Sequence, residues 1–213
     1  MKTKLSKKRA ISTVLTTVII LVSSVVLGSG VVLYGTSLFQ GGTQSESIVV
    51  SGIDIWVHSG DSNGLAWGAA KVRNTGDKAV AVDSIIVRGS SIPFTNWYAD
   101  ATVNATLFQQ PLNHTGWGPT GGLLATDANN CALPGAVIQI DLTGEDTNDS
   151  SICASAATGP IGLIQGAVTV IYFKMNNGTL TSLDSGIATT VNIFAGKAGA
   201  PQSVTVTGIS TTG

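Results

Sequence analysis

Two histidines, His58 and His114, are the side chains best suited to proton transfer near neutral pH. His58 lies in an alternating, strand-like segment, whereas His114 lies in a polar, loop-like one. The sequence contains neither an H-E-x-x-H zinc pattern nor a P-loop. Cys131 and Cys153 are the only cysteines, and they form no Cys-x-x-Cys pair of the kind found in zinc centres. We therefore expect no catalytic residues, no metal and no cofactor, and we predict that the protein is not an enzyme.

Charged residues make up only 11% of the 213 residues, and they are unevenly distributed. Five of the eleven basic residues lie within positions 1–10, and positions 10–45 carry no charge. From Glu46 onward there are twelve acidic and six basic residues. An acidic region without a basic patch is poorly suited to a phosphate backbone, so we expect no nucleic-acid partner. The basic cluster beside an apolar run instead indicates a membrane topology signal.

The apolar run spans 11–39 and contains sixteen Ile, Leu, Val or Phe residues in 29 positions. It exceeds the roughly 20 residues that a helix needs to cross a bilayer. Because lipid offers no partners for free backbone groups, we predict a helix over residues 11–40. Three interpretations fit: a permanent anchor, a secretory signal cut after the run, or a leader cut before it. A secretory signal has an apolar core of only about 7–15 residues, which disfavours the second interpretation.

The junction before the run favours a leader that is cut before the helix. Lys8, Arg9 and Ala10 stand directly before Ile11, the first residue of the run. This arrangement resembles the class III signal peptide of type IV pilins and of archaellins, the archaeal flagellins. The resemblance implies that a prepilin-type peptidase removes the first ten residues, so that Ile11 becomes the N-terminus. Bacterial pilins usually carry a glutamate at the fifth position after the cut, where this chain has Leu15.

The same resemblance implies a route of assembly. The precursor waits in the cytoplasmic membrane, and after cleavage its helix packs against copies of itself in a homopolymeric helical filament. A filament assembly platform and its ATPase are the implied partners. One stripe at helical spacing is the expected packing face: Val14, Val18, Leu21, Val25, Gly28 and Val32.

Beyond the helix, a polar, glycine-rich stretch at 41–46 predicts a hinge, and the hydrophobic period then changes to two. Val191 and Ile193 illustrate this alternation, and turn signals separate the alternating runs. We predict an antiparallel, Ig-like β-sandwich over 47–213, and therefore an α+β protein with a long N-terminal hydrophobic helix. Its strands are expected near 47–58, 65–73, 79–88, 136–142, 165–175, 187–195 and 203–209.

The stretch 71–89 carries the strongest local strand signal. Two β-rich segments flank Asn74-Thr75-Gly76-Asp77, which predicts a hairpin. The stretch also resembles the N-T-G-x-x-x-V-x-x-x-x-I segment of archaellin and archaeal pilin β domains. Together with the leader and the helix, the resemblance covers about residues 1–90.

Residues 89–135 are rich in Gly, Pro, Asn and Thr and lack alternation, so we expect long loops there. Aromatic residues are frequent in this stretch, and two interpretations of them stay open. The rings pack the loops onto the sandwich, or they form an outward adhesive face. These residues are Phe94, Trp97, Tyr98, Phe108 and Trp117.

Several residues are candidates for covalent modification. In a chain delivered outside the membrane, Cys131 and Cys153 are expected to form one disulfide, the alternative being two free thiols. Four Asn-x-Ser/Thr sequons lie in predicted loops or turns, and each is a candidate N-glycosylation site. Their asparagines are Asn104, Asn113, Asn148 and Asn177. The acidic stretch 141–149 lacks EF-hand spacing, so we expect a solvated loop rather than a calcium site.

These features predict the structural subunit of an archaeal type IV pilus-like extracellular filament, with an archaellin as the preferred interpretation. The predicted parts are a leader at 1–10, a helix at 11–40, a hinge at 41–46 and an outer β domain at 47–213. Two alternatives stay open: an adhesive type IV pilin, and a membrane-anchored surface binding protein that does not polymerise.

Overall fold

The computed structural model describes residues 5–42, 45–61, 64–114, 116–117, 136–142 and 151–210. The chain divides into two compact units, one ending at Gln44 and the other beginning at Ser45. The first unit is helical and the second consists mainly of strands, so the protein belongs to the α+β class, as predicted.

Helix α1 runs from Leu5 to Gly42 and is longer at both ends than the predicted helix over 11–40. It continues through the predicted leader from position 5 onward. Of the predicted hinge at 41–46, residues 41–42 complete the helix and residues 45–46 are irregular. Residues 43–44 lie outside the described residues.

The described part of the second unit contains eleven strands. All seven predicted strands are present, although β11 begins five residues earlier than expected. A five-residue helix, α2 (Ala105–Gln109), follows β5. The strands are β1 (Ile48–His58), β2 (Ala66–Asn74), β3 (Val80–Val87), β4 (Ser90–Ser91), β5 (Trp97–Asp100), β6 (Ala136–Asp141), β7 (Ser151–Ala156), β8 (Ile161–Leu163), β9 (Val168–Lys174), β10 (Ala188–Ala195) and β11 (Ala198–Ile209).

Hydrogen bonding connects these strands in the order β4-β3-β10-β11-β1-β2-β9-β5-β7-β6, with β8 paired to β3. The sheet is mostly antiparallel, but β1 and β11 run parallel from Ile55↔Val206 to His58↔Ile209. The prediction of a wholly antiparallel sheet was therefore wrong at this pair. The first part of β11 pairs with β10 instead. Strand β11 therefore connects β3 and β10 on one side to β1, β2 and β9 on the other.

Two hydrophobic clusters lie on opposite faces of β1, β2 and β9. On β9, Ile171 and Phe173 enter the first cluster, which β3 and β10 also supply. The intervening Val170 and Tyr172 enter the second cluster, together with Trp56. Full burial of such a side chain contributes about 1.5–3 kcal/mol. Alternation over two buried faces explains why these strands are apolar at nearly every position.

The predicted hairpin at 71–89 is not formed. Strand β2 pairs with β1 and β9, whereas β3 pairs with β4, β8 and β10. The segment 75–79 therefore crosses between two strand groups, and the buried Asn74 holds it. Its Nδ2 donates to the carbonyls of Lys78 at 2.7 Å and Leu163 at 3.0 Å, and its Oδ1 accepts from the Gly76 N–H at 2.9 Å. The asparagine that suggested a tight turn instead fixes a crossover.

Gly76 belongs to the same junction. The backbone N–H groups of Thr75 and Gly76 donate to the Ser47 carbonyl at 2.9 and 3.1 Å, just before β1 begins. A Cβ at position 76 would collide with the Ser45 carbonyl oxygen. The N-T-G segment thus needs a glycine because two backbones approach closely.

The prediction of long loops over 89–135 was wrong for its first part, which contains β4, β5, α2 and a 3-10 helix at Phe94–Asn96. These elements have two to five residues, which is too short for a hydrophobic period to appear. Trp97 and Trp117 are 0% and 1% exposed, which confirms for them the inward-packing interpretation. Residues 118–135 lie outside the described residues.

Candidate functional site

The apolar surface of α1 is the first candidate site. The stretch Ser12–Phe39 is uncharged, long enough to cross a bilayer and unburied throughout. Ile20, Leu27 and Leu33 are 62%, 70% and 70% exposed. Predicted packing residues are exposed to a similar degree, so exposure does not single out one face and the stripe stays a prediction. Those large residues are Val14, Val18, Leu21, Val25 and Val32, and Gly28 has nothing within 4 Å of an ideal Cβ.

Several hydroxyl groups of α1 turn back onto the helix itself. Thr16 Oγ1 donates to the Ser12 carbonyl at 2.8 Å, and Ser24 Oγ donates to the Leu21 carbonyl at 2.8 Å. The Thr36 hydroxyl makes the same kind of bond at 3.0 Å. An unpaired hydroxyl costs free energy in apolar surroundings, and these bonds remove that cost. The helix is therefore chemically suited to lipid or to a packed protein core.

The predicted cleavage residues Lys8, Arg9, Ala10 and Ile11 all lie within α1. The described helix is continuous through this junction. Cleavage at this bond stays a prediction.

Two short glycine patterns in the second unit resemble enzyme motifs by spacing alone. Residues 60–64 match G-x-S-x-G, but a nucleophile elbow joins a strand to a helix, whereas this segment joins antiparallel β1 and β2. Residues 116–121 match G-x-G-x-x-G, but the described residues before them form an irregular segment rather than the strand that a dinucleotide site requires. Neither pattern has the context of the corresponding enzyme.

Asp54 on β1 and Lys71 on β2 form a charged pair on the face of the second cluster. Lys71 is 7% exposed, and its ammonium donates to the carbonyl of Gln110. Burial lowers the pKa of Lys71, and the nearby Asp54 carboxylate opposes this shift. Burial raises the pKa of Asp54, and the Lys71 ammonium opposes that shift. The bond from Lys71 to Gln110 fastens the segment after α2 to the sheet.

Both histidines contact Trp117. Its ring centroid lies 5.2 Å from that of His58 and 4.3 Å from that of His114. His114 also lies 5.3 Å from Trp56, which stacks on Tyr172 at 6.2 Å with an interplanar angle of 10°. Sequence reasoning placed the two histidines in unlike surroundings, and the fold brings them to the same ring.

Burial, together with a smaller effect of the nearby His58, lowers the pKa of His114 to about 4. Burial also raises the pKa of Tyr172, whose hydroxyl donates to the Asn113 carbonyl at 2.8 Å. At neutral pH both rings are therefore uncharged. At that pH this cluster is a packed, uncharged group of rings.

A cleft of about 440 Å³ lies where β11 diverges from β1. Its described lining includes Ser51, Asp54, Gln202 and Thr205, without a histidine, lysine or cysteine. Among the described residues, no three His, Cys, Asp or Glu side chains come together as metal ligands. The hydroxyl, amide and carboxylate groups of this lining can hold polar groups by hydrogen bonding.

Cys153 on β7 is buried and disulfide-bonded. Its predicted partner, Cys131, lies outside the described residues, so the pairing stays a prediction. Asn104 and Asn177 are exposed, the first as the N-cap of α2 and the second in a turn. Asn113 is exposed as well, and Asn148 lies outside the described residues. The use of these sequons stays a prediction.

No protein-family model matches the chain, and no curated protein matches its sequence.

Proposed function

We propose that the chain is the structural subunit of an archaeal type IV pilus-like extracellular filament, and specifically an archaellin. Cleaved helices form the filament core, and the second unit forms the outer layer as an Ig-like β-sandwich. The observation that carries the proposal is the uncharged stretch Ser12–Phe39 of α1, whose apolar side chains are exposed all around the helix.

A helix that is apolar on all sides must be covered by lipid or by protein. The sixteen large apolar residues at 11–39 each favour insertion by about 0.3–0.6 kcal/mol, which gives about 5–10 kcal/mol before the smaller polar residues are subtracted. The precursor is therefore stable in the cytoplasmic membrane. Removal of the leader by a prepilin-type peptidase eliminates five basic residues that would be costly among packed helices.

The arrangement of the first hydrophobic cluster supports the proposal that the outer layer is a β-sandwich. Ile55 of β1 and Ile171 of β9 share that cluster with Val82 of β3 and Ile193 of β10. Two facing layers of strands would produce such a shared core. The exposed Asn104 and Asn177 would then carry glycans on the outside of the filament.

Substitution of Ile20 by aspartate tests the role of α1. The charge costs about 3 kcal/mol in a bilayer, less than the total favouring insertion, so the precursor should still reach the membrane. In a helical core the unpaired carboxylate is not tolerated, and filaments should be lost while the second unit stays folded. Ile20→Leu is the matched control and should give normal filaments. Normal filament abundance from Ile20→Asp would refute the proposal.

Mass spectrometry of the native protein separates the proposal from a non-polymerising membrane anchor. A mature chain that begins at Ile11 supports filament assembly. A mature chain that begins at Met1 and is found only in membranes supports the anchor instead.

The distinction between an archaellin and an adhesive pilin requires a phenotype. Deletion of the gene should abolish swimming if the subunit builds the rotating filament. Intact swimming with lost surface attachment would assign the chain to the adhesive pilins.

A further inference from the structure

Residues 110–114 and 116–117, which we call the strap, cross one face of the second unit. Among the described residues, hydrogen bonds that involve side chains hold it to the rest of the unit at three points. The Lys71 ammonium donates to the Gln110 carbonyl, the Tyr172 hydroxyl donates to the Asn113 carbonyl, and the Trp117 indole donates to the Ile209 carbonyl at 3.0 Å. Beneath the strap lies an aromatic floor that consists of Trp56 and Tyr172.

The histidine in the strap is held in one neutral form. His114 Nδ1 accepts the Gly116 N–H at 3.1 Å, so its proton is assigned to Nε2. That Nε2 is buried without a hydrogen-bond partner. On β1, His58 Nδ1 accepts the Gly60 N–H at 3.0 Å in the same way. Protonation of His114 must occur at Nδ1, where it removes the bond from Gly116 and places a cation in the cluster.

Few charges are available to stabilise that cation. Strand β1 supplies Asp54 and His58, and β2 supplies Lys71, which partly offsets Asp54. Strand β9 supplies Tyr172, whose hydroxyl stays neutral in acid and at neutral pH. The turn after β1 supplies Asp61, and neither α2 nor the Ile209 end of β11 carries an ionisable side chain. The nearby His58 disfavours a proton on His114.

We propose that the strap is an acid-released latch: protonation of His114 detaches the strap and uncovers the aromatic floor of Trp56 and Tyr172. Below the release pH, Trp117 leaves the histidines and the Asn113 carbonyl leaves Tyr172. The remaining strands keep their pairing because the first hydrophobic cluster lies on the opposite face of the sheet. The latch operates within one chain and does not depend on filament assembly.

Hydrogen exchange of the full chain in detergent micelles tests the latch. Between about pH 6.5 and about pH 4, protection of the strap amides, corrected for the intrinsic exchange rate, should fall by roughly 100-fold. Amides of β2 and β9 should keep their protection over the same range. A strap that stays protected at about pH 4, or that opens only together with β2 and β9, overturns the proposal.

Two substitutions separate His114 from other acid effects. His114→Gln keeps a neutral hydrogen-bonding side chain and should make strap protection independent of pH. His58→Gln is the matched control, and its strap should still open in acid because His114 still titrates. Acid opening of His114→Gln equal to that of the natural chain overturns the proposal.

If His114→Gln fails to fold, NMR titration of the natural chain tests the latch instead. Protonation of the His114 ring coupled to loss of strap protection supports the latch, whereas protonation near pH 6.5 with the strap still closed refutes it.

Discussion

Replacement of Asn74 by alanine is expected to cost the second unit about 2–3 kcal/mol of unfolding free energy. The side chain is fully buried and joins the crossover segment to a distant strand. Its removal takes the Nδ2 donor from the carbonyls of Lys78 and Leu163 and the Oδ1 acceptor from the Gly76 N–H.

The magnitude follows from those three bonds. A typical hydrogen bond contributes about 1 kcal/mol net, and a buried group left unpaired costs more. The Gly76 N–H retains the Ser47 carbonyl as a second acceptor at 3.1 Å, so its loss is partial. The Leu163 carbonyl is bonded in a fully buried position, so its loss should weigh most.

Chemical denaturation of the full chain in detergent, followed by tryptophan fluorescence, measures this cost. Asn176→Ala is the matched control, because Asn176 is exposed in a turn and its substitution should change stability by less than about 0.5 kcal/mol. A loss below about 1 kcal/mol for Asn74→Ala, or equal losses for both variants, would refute the account of the crossover.

Two further predictions concern the second unit. Gly68→Ala should destabilise it by about 1–3 kcal/mol, because the new methyl would lie 2.5 Å from the Phe173 ring. Gly162→Ala has nothing within 4 Å and is the control, and equal denaturation midpoints would contradict this packing. Acid should also lower stability through His114, since its pKa falls from 6.5 to about 4 on folding. That contribution is complete above about pH 6.5 and lost by about pH 4, and it is at most about 3 kcal/mol because solvent partly reaches the ring. A pH profile identical to that of His114→Gln would contradict it.

Strand positions could be predicted because each strand carries its own hydrophobic pattern. On β10, buried Val191 and Ile193 alternate with exposed Thr190 and half-buried Asn192. Strand partners could not be predicted in the same way. An Asn-Thr-Gly segment is compatible with both a hairpin and a crossover. The hydrogen bond from Asn74 to the Leu163 carbonyl, which is distant in sequence, distinguishes the two. The parallel pairing of β1 with β11 has no local signal at all.

The helix of the candidate site could be predicted because an uncharged apolar run has few alternatives. The contacts of the strap could not, since they join it to four strands, β1, β2, β9 and β11. One signal was nevertheless visible: His58-Ser59-Gly60 and His114-Thr115-Gly116 share the pattern H-x-G. In both, the glycine N–H donates to the histidine Nδ1.

The position of β11 also determines when the second unit can finish folding during synthesis. Ile55 near the start of this unit pairs with Val206 near its end, and β10 gains its other neighbour from the same late strand. Contacts so far apart along the chain form slowly. While the ribosome is still making residues 198–209, β1 and β10 each lack an edge partner, and such edges attract other chains. The nascent protein therefore passes through a stage in which both strands expose an unpaired edge, and this stage is the one most prone to aggregation.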